Sequence, residues 1–409
     1  MVELAVELYG QQVGVISGDN YRSFDITFDP SAIATFGANS RTLSMAVPLA
    51  LQPKRSLARR RRNYFAGLLP EGTQLQSMAR NAQLNEFDVL GLLARYGRDV
   101  AGAIQIWDIN DPSEPRTPMA VPVTATEVSH MLKDLAGQPL GNARRGGKTS
   151  LPGVQPKIVL AQTTTGWARV EDGYPSTHIL KPIVEKYPTM IFDEEYGSRF
   201  VRALELAEFD STLQQFDDAE ALVIERYDRS PTAPGGRIHQ EDLAQALGVP
   251  TIEKYEKYGA VTLERLSRLL AETDERNPWL TLARMLTLSV AVGNLDMHAK
   301  NISLLHPADG TVTIAPMYDV VPQTQYDTDG EFAFRVNGKL DHASITKADI
   351  VDEVGKWGTG RAETVVNETL EVVRGVAATE TPHPSAEPSL QERIHRFSQN
   401  LLDNRMVGA

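Results

Sequence analysis

Residues 293–301 read Gly-Asn-Leu-Asp-Met-His-Ala-Lys-Asn, and a second carboxylate, Asp319, closes Pro316-Met-Tyr-Asp319. Asp296 and Asn301 are five positions apart. Phosphoryl-transfer loops use that spacing between the Asp that takes the hydroxyl proton and the Asn that holds Mg²⁺. One carboxylate orients the attacking hydroxyl. A second carboxylate and an amide oxygen hold a cation that neutralises the moving phosphate. His298 is either a donor to phosphate or a brace for the loop, and Lys300 either a phosphate contact or a surface charge. Any one of these Asp residues alone reads better as an Asx turn capping backbone. The three groups in this order favour chemistry.

Three further segments fit the first. Lys181 ends an apolar run and Glu195 opens a helical one, the pairing that holds ATP phosphates in phosphoryl-transfer enzymes. Lys before Pro182 is a weak signal, and Glu195 with Asp193 and Glu194 also suits a helix N-terminus. Residues 146–157 are rich in Gly, Ser, Thr and Pro and precede a strand-like run. Gly147-Lys148-Thr149 is not a Walker A loop, since five residues rather than four separate Gly141 from Gly147. Backbone N–H groups of such a loop can still cover phosphates. Residues 225–229, Glu-Arg-Tyr-Asp-Arg, are a strand end with salt bridges or a connector facing an adenine. Asp242 reads as a helix-start carboxylate.

The elements that must position these groups follow from periodicity. Apolar alternation marks short strands at 4–8, 12–17, 24–28, 100–107, 157–162, 176–180 and 221–226. Helical spacing marks 75–93, 193–207, 263–270, 278–292, 347–357, 362–377 and 389–402. Residues 301–305 and 311–315 flank Asp309-Gly310, a hairpin signal. The Asp- and Pro-rich stretch 108–122 reads as a linker. The expected fold is α+β.

Composition excludes several alternatives. The chain has 409 residues, no Cys, and a net charge of −12. Disulfides, thiolate metal sites and a cysteine nucleophile are out. No apolar run reaches the ~18 residues of a membrane span. The first fourteen residues carry Glu3 and Glu7 and lack a signal pattern. A cytoplasmic protein without a membrane partner is therefore expected. Acidity argues against general nucleic-acid binding. The basic run Arg59 to Arg62 reads as a solvated helix face, with DNA contact as the alternative.

Taken together, Ser150-Leu-Pro-Gly-Val-Gln-Pro-Lys157, His178-Ile-Leu-Lys181-Pro182, Glu225-Arg-Tyr-Asp-Arg229, His239-Gln-Glu-Asp-Leu243, the 293–301 loop and Met317-Tyr-Asp-Val320 resemble the HipA family of toxin kinases. Leu43-Ser-Met-Ala-Val-Pro-Leu49, Leu68-Leu-Pro-Glu71 and Gly97-Arg-Asp-Val-Ala-Gly-Ala103 resemble its N-terminal part. The resemblance implies a two-lobed, protein-kinase-like fold, akin to phosphoinositide kinases, with ATP between a β-rich lobe and a mainly helical one. The implied parts are an N-terminal subdomain at 1–125, a kinase N-lobe at 126–228 and a helical C-lobe at 229–409. It implies Asp296 as base, Asn301 and Asp319 as Mg²⁺ ligands, and Lys181 on the phosphates. Gly153, Val154, Gln155, Pro156 and Lys157 would cover the phosphates. Glu225 and Tyr227 would flank the adenine, and His298 would lie beside the nucleotide.

Family members phosphorylate a serine in this loop, which ejects it; Ser150 holds that place, with Thr149 next to it. Pro152 and Pro156 stiffen the loop. The implied substrate is a protein of translation, such as an aminoacyl-tRNA synthetase, with growth arrest and persistence as the outcome. The implied partner is a small helix-turn-helix antitoxin (HipB-like), operator DNA being reached only through it. Two other readings stay open: an ATP-binding co-repressor module without strong transfer, and a small-molecule or lipid kinase, since Asp296-x-His298-x-x-Asn301 also resembles phosphoinositide kinase loops.

Overall fold

Alternation in Val2–Leu8 turns Leu4, Val6 and Leu8 into one core, and a register shift at Val6/Glu7 lets both Val13 and Ile16 of Gln11–Gly18 join it. The computed structural model describes residues 2–20, 22–114, 116–259 and 261–409. It is α+β. The chain divides into two compact units: Met1–Pro182 with Gln214–Thr251 and Leu304–Val312, and Ile183–Leu213 with Ile252–Ser303 and Thr313–Ala409.

The two larger sheets lie mostly in the first unit. One orders Asp25–Phe28, Gln11–Gly18, Val2–Leu8 and Ile104–Asp108, all antiparallel. Helices Ala58–Ala66, Gly72–Ala82 and Val89–Tyr96 share its core through Tyr64, Phe65, Met78 and Leu93. The single helix expected at 75–93 is two, because Gln83 adopts φ 57 and caps the first. The second sheet runs Met119–Pro122, Gly166–Glu171, Ile158–Thr163, His178–Pro182, Ala219–Glu225, Ser211–Phe216. Helix Ala125–Lys133 packs on it, opened by a capping box between Thr124 and Glu127.

The Arg59–Arg62 run is not simply a solvated face. Arg61 is buried and grips Asp25 with two bonds, Nε–Oδ1 at 2.6 Å and Nη2–Oδ2 at 2.7 Å. Arg59 and Arg60 are exposed, as expected. The fork ties the helix to strand Asp25–Phe28, a bidentate geometry that only Arg supplies.

His239 joins strand His239–Asp242 to the N-terminal sheet. Its Nε2 lies 2.8 Å from the Leu43 carbonyl, which can only accept, so Nε2 carries the proton. Its N–H donates to Tyr9 Oη at 2.7 Å, and Tyr9 donates to the His306 carbonyl at 2.6 Å. Burial pushes its imidazole down to about 3 from the ordinary 6.5. In the second unit, burial also lowers His342, whose Nε2 bonds the Val290 carbonyl at 2.8 Å. The unfolded chain takes up protons below about pH 6.5 that the folded chain refuses. Stability is therefore full above that value and falls as the pH drops toward 3. His239 costs about 1.4 kcal/mol per pH unit within that window, and the lowered His342 adds loss of the same sign. Urea unfolding at about pH 5.5 should give a lower midpoint than at pH 7; equal midpoints would contradict this account.

The second unit is mainly helical. Pro278–Val292 is buried on nearly all sides, and Ala362–Thr379 packs against it, Leu390–Leu402 and Met190–Ala203. The tail helices expected from periodicity are found at Lys347–Gly355, Ala362–Thr379 and Leu390–Leu402. A hairpin, Glu331–Val336 with Lys339–Asp341, is not among the elements picked out above. Its Asn337-Gly338 turn has positive φ at both residues, the usual hairpin signal.

Candidate functional site

The 293–303 loop leaves helix Pro278–Val292 through Gly293, which caps it at φ 74. A Cβ there would lie 2.8 Å from the Thr324 methyl, so position and conformation both require glycine. The loop then closes on itself. The Asp296 carbonyl accepts from His298 N–H at 2.7 Å and from Asn301 Nδ2 at 2.9 Å, and Asn301 N–H donates to the His298 carbonyl at 2.9 Å. Asp296 and Asn301 are thus bonded neighbours. His298 Nε2 stands 3.8 Å from Asp296 Oδ2.

Asp319 belongs to the same assembly. Tyr318 Oη donates to the Lys300 carbonyl at 2.8 Å and pairs with Ser303 Oγ at 2.7 Å; Gln323 N–H donates to the Gly293 carbonyl at 2.8 Å. These bonds fasten the chain on either side of Asp319 to the loop. Asp319 sits at φ 58, a left-handed conformation that Asp and Asn tolerate better than most residues. Its charge acts on the His298 imidazole. Burial, then the positive charge of Lys254, hold that imidazole well below its ordinary range, so His298 is neutral. The ring is buried and the backbone braces the loop. Lys300 is buried as well, so it is not a surface charge.

Asn301 spends the N–H₂ end of its amide on the Asp296 carbonyl, and oxygen is its remaining ligand atom. Oxygen from Asn301 and carboxylate from Asp319 suit a hard cation such as Mg²⁺. Among the described residues, no group of three or more His, Cys, Asp or Glu could hold a metal by itself. A cation here would need further oxygens from a ligand or water.

Helix Met190–Ala203 backs this segment. A Cβ on Gly197 would lie 2.0 Å from the Val320 carbonyl oxygen, one residue after Asp319. Gly197→Ala would gain helix propensity of about 1 kcal/mol elsewhere. Here it should destabilise by about 1–3 kcal/mol, because neither backbone can yield. A thermal midpoint at or above the parent's would show that the contact is softer than this geometry. Glu195 on the same helix accepts Arg199 Nε at 2.9 Å and Nη2 at 2.8 Å. Asp193 is more than a helix-start charge: wholly buried, it receives Tyr326 Oη, Thr189 Oγ1, Gln325 Nε2 and Glu387 N–H.

The first unit holds the remaining candidates. Lys181 is buried on strand His178–Pro182, paired in register with Leu222. Glu225 ends Ala219–Glu225 and is exposed; Tyr227, half-buried, donates to Gln240 Oε1. Between and beyond them, Arg226, Asp228 and Arg229 are tied into ion pairs, as a strand end with salt bridges requires. Arg226 grips Asp228 with Nε at 2.9 Å and Nη2 at 2.7 Å; Arg229 bonds Asp99 at 3.0 Å. Burial alone would raise the Asp228 carboxyl, but Arg226 and Arg229 hold it well below the carboxylate range.

The glycine-rich loop is held along its length by residues between Leu68 and Asp99 of the same unit. Arg95 donates to the Gly147 carbonyl and, at 2.9 Å, to that of Arg144. The N–H groups of Arg98 and Asp99 both reach the Lys148 carbonyl at 3.1 Å, and Ser150 N–H donates to the Asp99 carbonyl at 2.9 Å. Ser150 is 0% exposed and its hydroxyl donates to the Leu68 carbonyl at 2.9 Å. Leu151 joins the N-terminal core. Glu71 N–H meets the Gly153 carbonyl at 3.1 Å, and Gln74 Nε2 the Lys157 carbonyl at 3.2 Å. Thr149 is buried too, its hydroxyl 3.4 Å from Asp99 Oδ2. Within the loop, Lys157 Nζ donates to the Pro152 carbonyl at 3.0 Å, Val154 is exposed, and Pro156 is half-buried. Gln155 Nε2 is a buried donor without a hydrogen-bond partner.

Sequence reasoning missed Tyr255, whose hydroxyl donates to Asp296 Oδ1. It stands 41 residues before its partner, with no periodicity to announce it.

Comparison with known proteins adds the family context. The HipA N-terminal domain model matches residues 4–107 and the HipA-like C-terminal domain model residues 149–379. The putative kinase Y4mE of Sinorhizobium fredii is 32% identical over 347 residues, covering 82% of this chain and 81% of that one. The serine/threonine-protein kinase toxin HipA of Shewanella oneidensis is 29% identical over 301 residues, covering 69% and 68%. A solved structure of a Shewanella oneidensis toxin–antitoxin complex, HipA with HipB and operator DNA, superposes with a TM-score of 0.75 at 23% identity. It covers 98% of this chain and 96% of that one, so the fold is shared over nearly the whole length.

Proposed function

The chain belongs to the HipA family, and from that premise we propose that it is an ATP- and Mg²⁺-dependent protein serine/threonine kinase, the toxin of a toxin–antitoxin pair. The observation that carries this reading is the closed 293–303 loop, which bonds Asn301 to Asp296 and has Asp319 fastened beside it.

In this reading each unit has its own task. The first unit holds the nucleotide. Lys181 and the N–H groups and side chains of residues 153–157 take the phosphates, and the connector at Glu225 and Tyr227 takes the adenine. The second unit transfers the phosphoryl group. Asp296 orients the acceptor hydroxyl and accepts its proton as the serine oxygen bonds to the γ-phosphorus. The bond from that phosphorus to the bridging oxygen breaks, and ADP leaves. Neutral His298 keeps the loop in shape without adding charge. Mg²⁺, held by Asn301 and Asp319, would neutralise the phosphate charge.

The acceptors are a serine of the chain's own loop, Ser150 with Thr149 as its neighbour, and a protein of translation such as an aminoacyl-tRNA synthetase. The consequence is growth arrest and persistence. The partner is a HipB-like helix-turn-helix antitoxin, through which the chain reaches operator DNA. The relative solved with HipB and operator DNA supports that partner class. Among the described residues no helix is long and apolar enough to cross a membrane. Mass spectrometry of the purified chain after incubation with Mg-ATP, beside Asp296→Ala, tests the proposal. Phosphate on Ser150 or Thr149 in the parent alone is expected; an unmodified parent that binds no ATP would overturn it.

A further inference from the structure

We propose that Tyr255 is the positioning residue for the Asp296 carboxylate, an inference that rests on reading Asp296 as the base. Asp296 stands in a loop whose backbone is well braced. Backbone bonds, however, do not decide how its carboxylate turns about the side-chain torsions. A base must face the acceptor hydroxyl within hydrogen-bond reach, so the carboxylate plane matters as much as the position of Cα.

The phenol of Tyr255 fixes that plane by donating to Asp296 Oδ1. Tyr255 is itself held from three sides. It lies between two short helical turns, Thr251–Lys254 and Glu256–Tyr258. The carbonyl of Lys254 accepts from Ala299 N–H at 3.2 Å, so the backbone beside Tyr255 docks directly on the 293–303 loop. Its ring meets His298 edge-on at 5.0 Å and Tyr258 at 6.2 Å, and Lys254 Nζ stands 5.5 Å from its centroid. These contacts leave the aromatic ring little freedom, and its hydroxyl passes that order to the carboxylate. His298, at 3.8 Å from Oδ2, is too far to do the same through a hydrogen bond. The buried imidazole serves instead as the surface on which the Tyr255 ring rests.

Tyr255→Phe keeps the ring contacts and removes one O–H. The readout is transfer from γ-labelled ATP to the chain itself, giving a maximal rate and a half-saturating ATP concentration. The expected result is a maximal rate lower by about 10- to 100-fold, as for a displaced reacting group. The half-saturating ATP concentration and the thermal midpoint should stay at parent values. Adding Tyr255→Phe to Asp296→Ala should cost nothing more, since a residue acting through Asp296 has no target without it.

An unchanged rate overturns the proposal. A raised rate does so too, because it would mean that the phenol competes with the acceptor. A rate that falls only in step with ATP affinity or the midpoint would make Tyr255 a structural residue. The failure of the underlying reading looks different: Asp296→Ala itself would retain transfer, and the Tyr255 proposal would fall with it.

Discussion

Asp296→Ala is expected to lose transfer by on the order of 10²–10⁴-fold, the range for a positioned general base, while unfolding near the parent's midpoint. The fold should survive because the loop is braced through the Asp296 carbonyl, not its carboxylate. That side chain is 35% exposed, so water can replace it. The other two polar groups do not allow so clean a test. Asn301→Ala deletes the Nδ2 bond that closes the loop. Asp319→Ala places alanine at φ 58, where it is strained. Asp319→Asn tolerates that conformation and removes only charge. Measuring incorporation of labelled phosphate with unfolding curves separates the cases. Full transfer by Asp296→Ala would remove the base assignment; a collapsed midpoint would make Asp296 structural.

Ser150→Asp is expected to expel the glycine-rich loop. In the parent, the Ser150 hydroxyl gives its proton to the Leu68 carbonyl, and the next side chain, Leu151, lies in the N-terminal core. A carboxylate at this position has no proton to give. It would be buried against a carbonyl oxygen and close to the Asp99 backbone, with no cation added to pair it. An uncompensated buried charge costs about 3–5 kcal/mol. Leaving the loop in place then costs more than releasing it. Hydrogen exchange reads this directly, because Ser150 N–H is protected by the Asp99 carbonyl. That amide should exchange at least about 100-fold faster in Ser150→Asp, since each 1.4 kcal/mol is a factor of ten. In Ser150→Ala the exchange of that amide should stay much closer to the parent. Unchanged protection would show that a charge is accommodated in the closed loop, and phosphorylation could not then act by ejection.

What the sequence discloses divides along physical lines. The 293–301 motif is local, so its spacing alone brings Asp296 and Asn301 together, and the Gly293 cap confirms where the helix must stop. Pro278–Val292 is legible as a run that is apolar on most sides, and the three tail helices are legible because each presents an apolar face. Long-range pairing is not legible. Nothing in Arg59–Arg62 distinguishes Arg61, whose partner is Asp25. Nothing near Ser150 announces that Leu68, 82 residues earlier, receives its hydroxyl. Tyr255 illustrates the same gap at the site itself. The segment 225–229 is a mixed case. Its strand end with salt bridges is visible in the sequence, but not that its charges are buried against Asp99.

That buried set constrains how this chain can drift. Arg226, Asp228 and Arg229 come from one short segment and Asp99 from another, 130 positions before Arg229, and their side chains are almost wholly out of water. Neutralising Asp228 alone would leave two arginines facing each other with one fewer counter-charge. Neutralising Arg229 alone would weaken both carboxylates at once. Single steps away from this arrangement are therefore uphill, even though an apolar replacement of the whole set could be as stable as the original. What holds the set in place is the cost of each single step, not the depth of the final state.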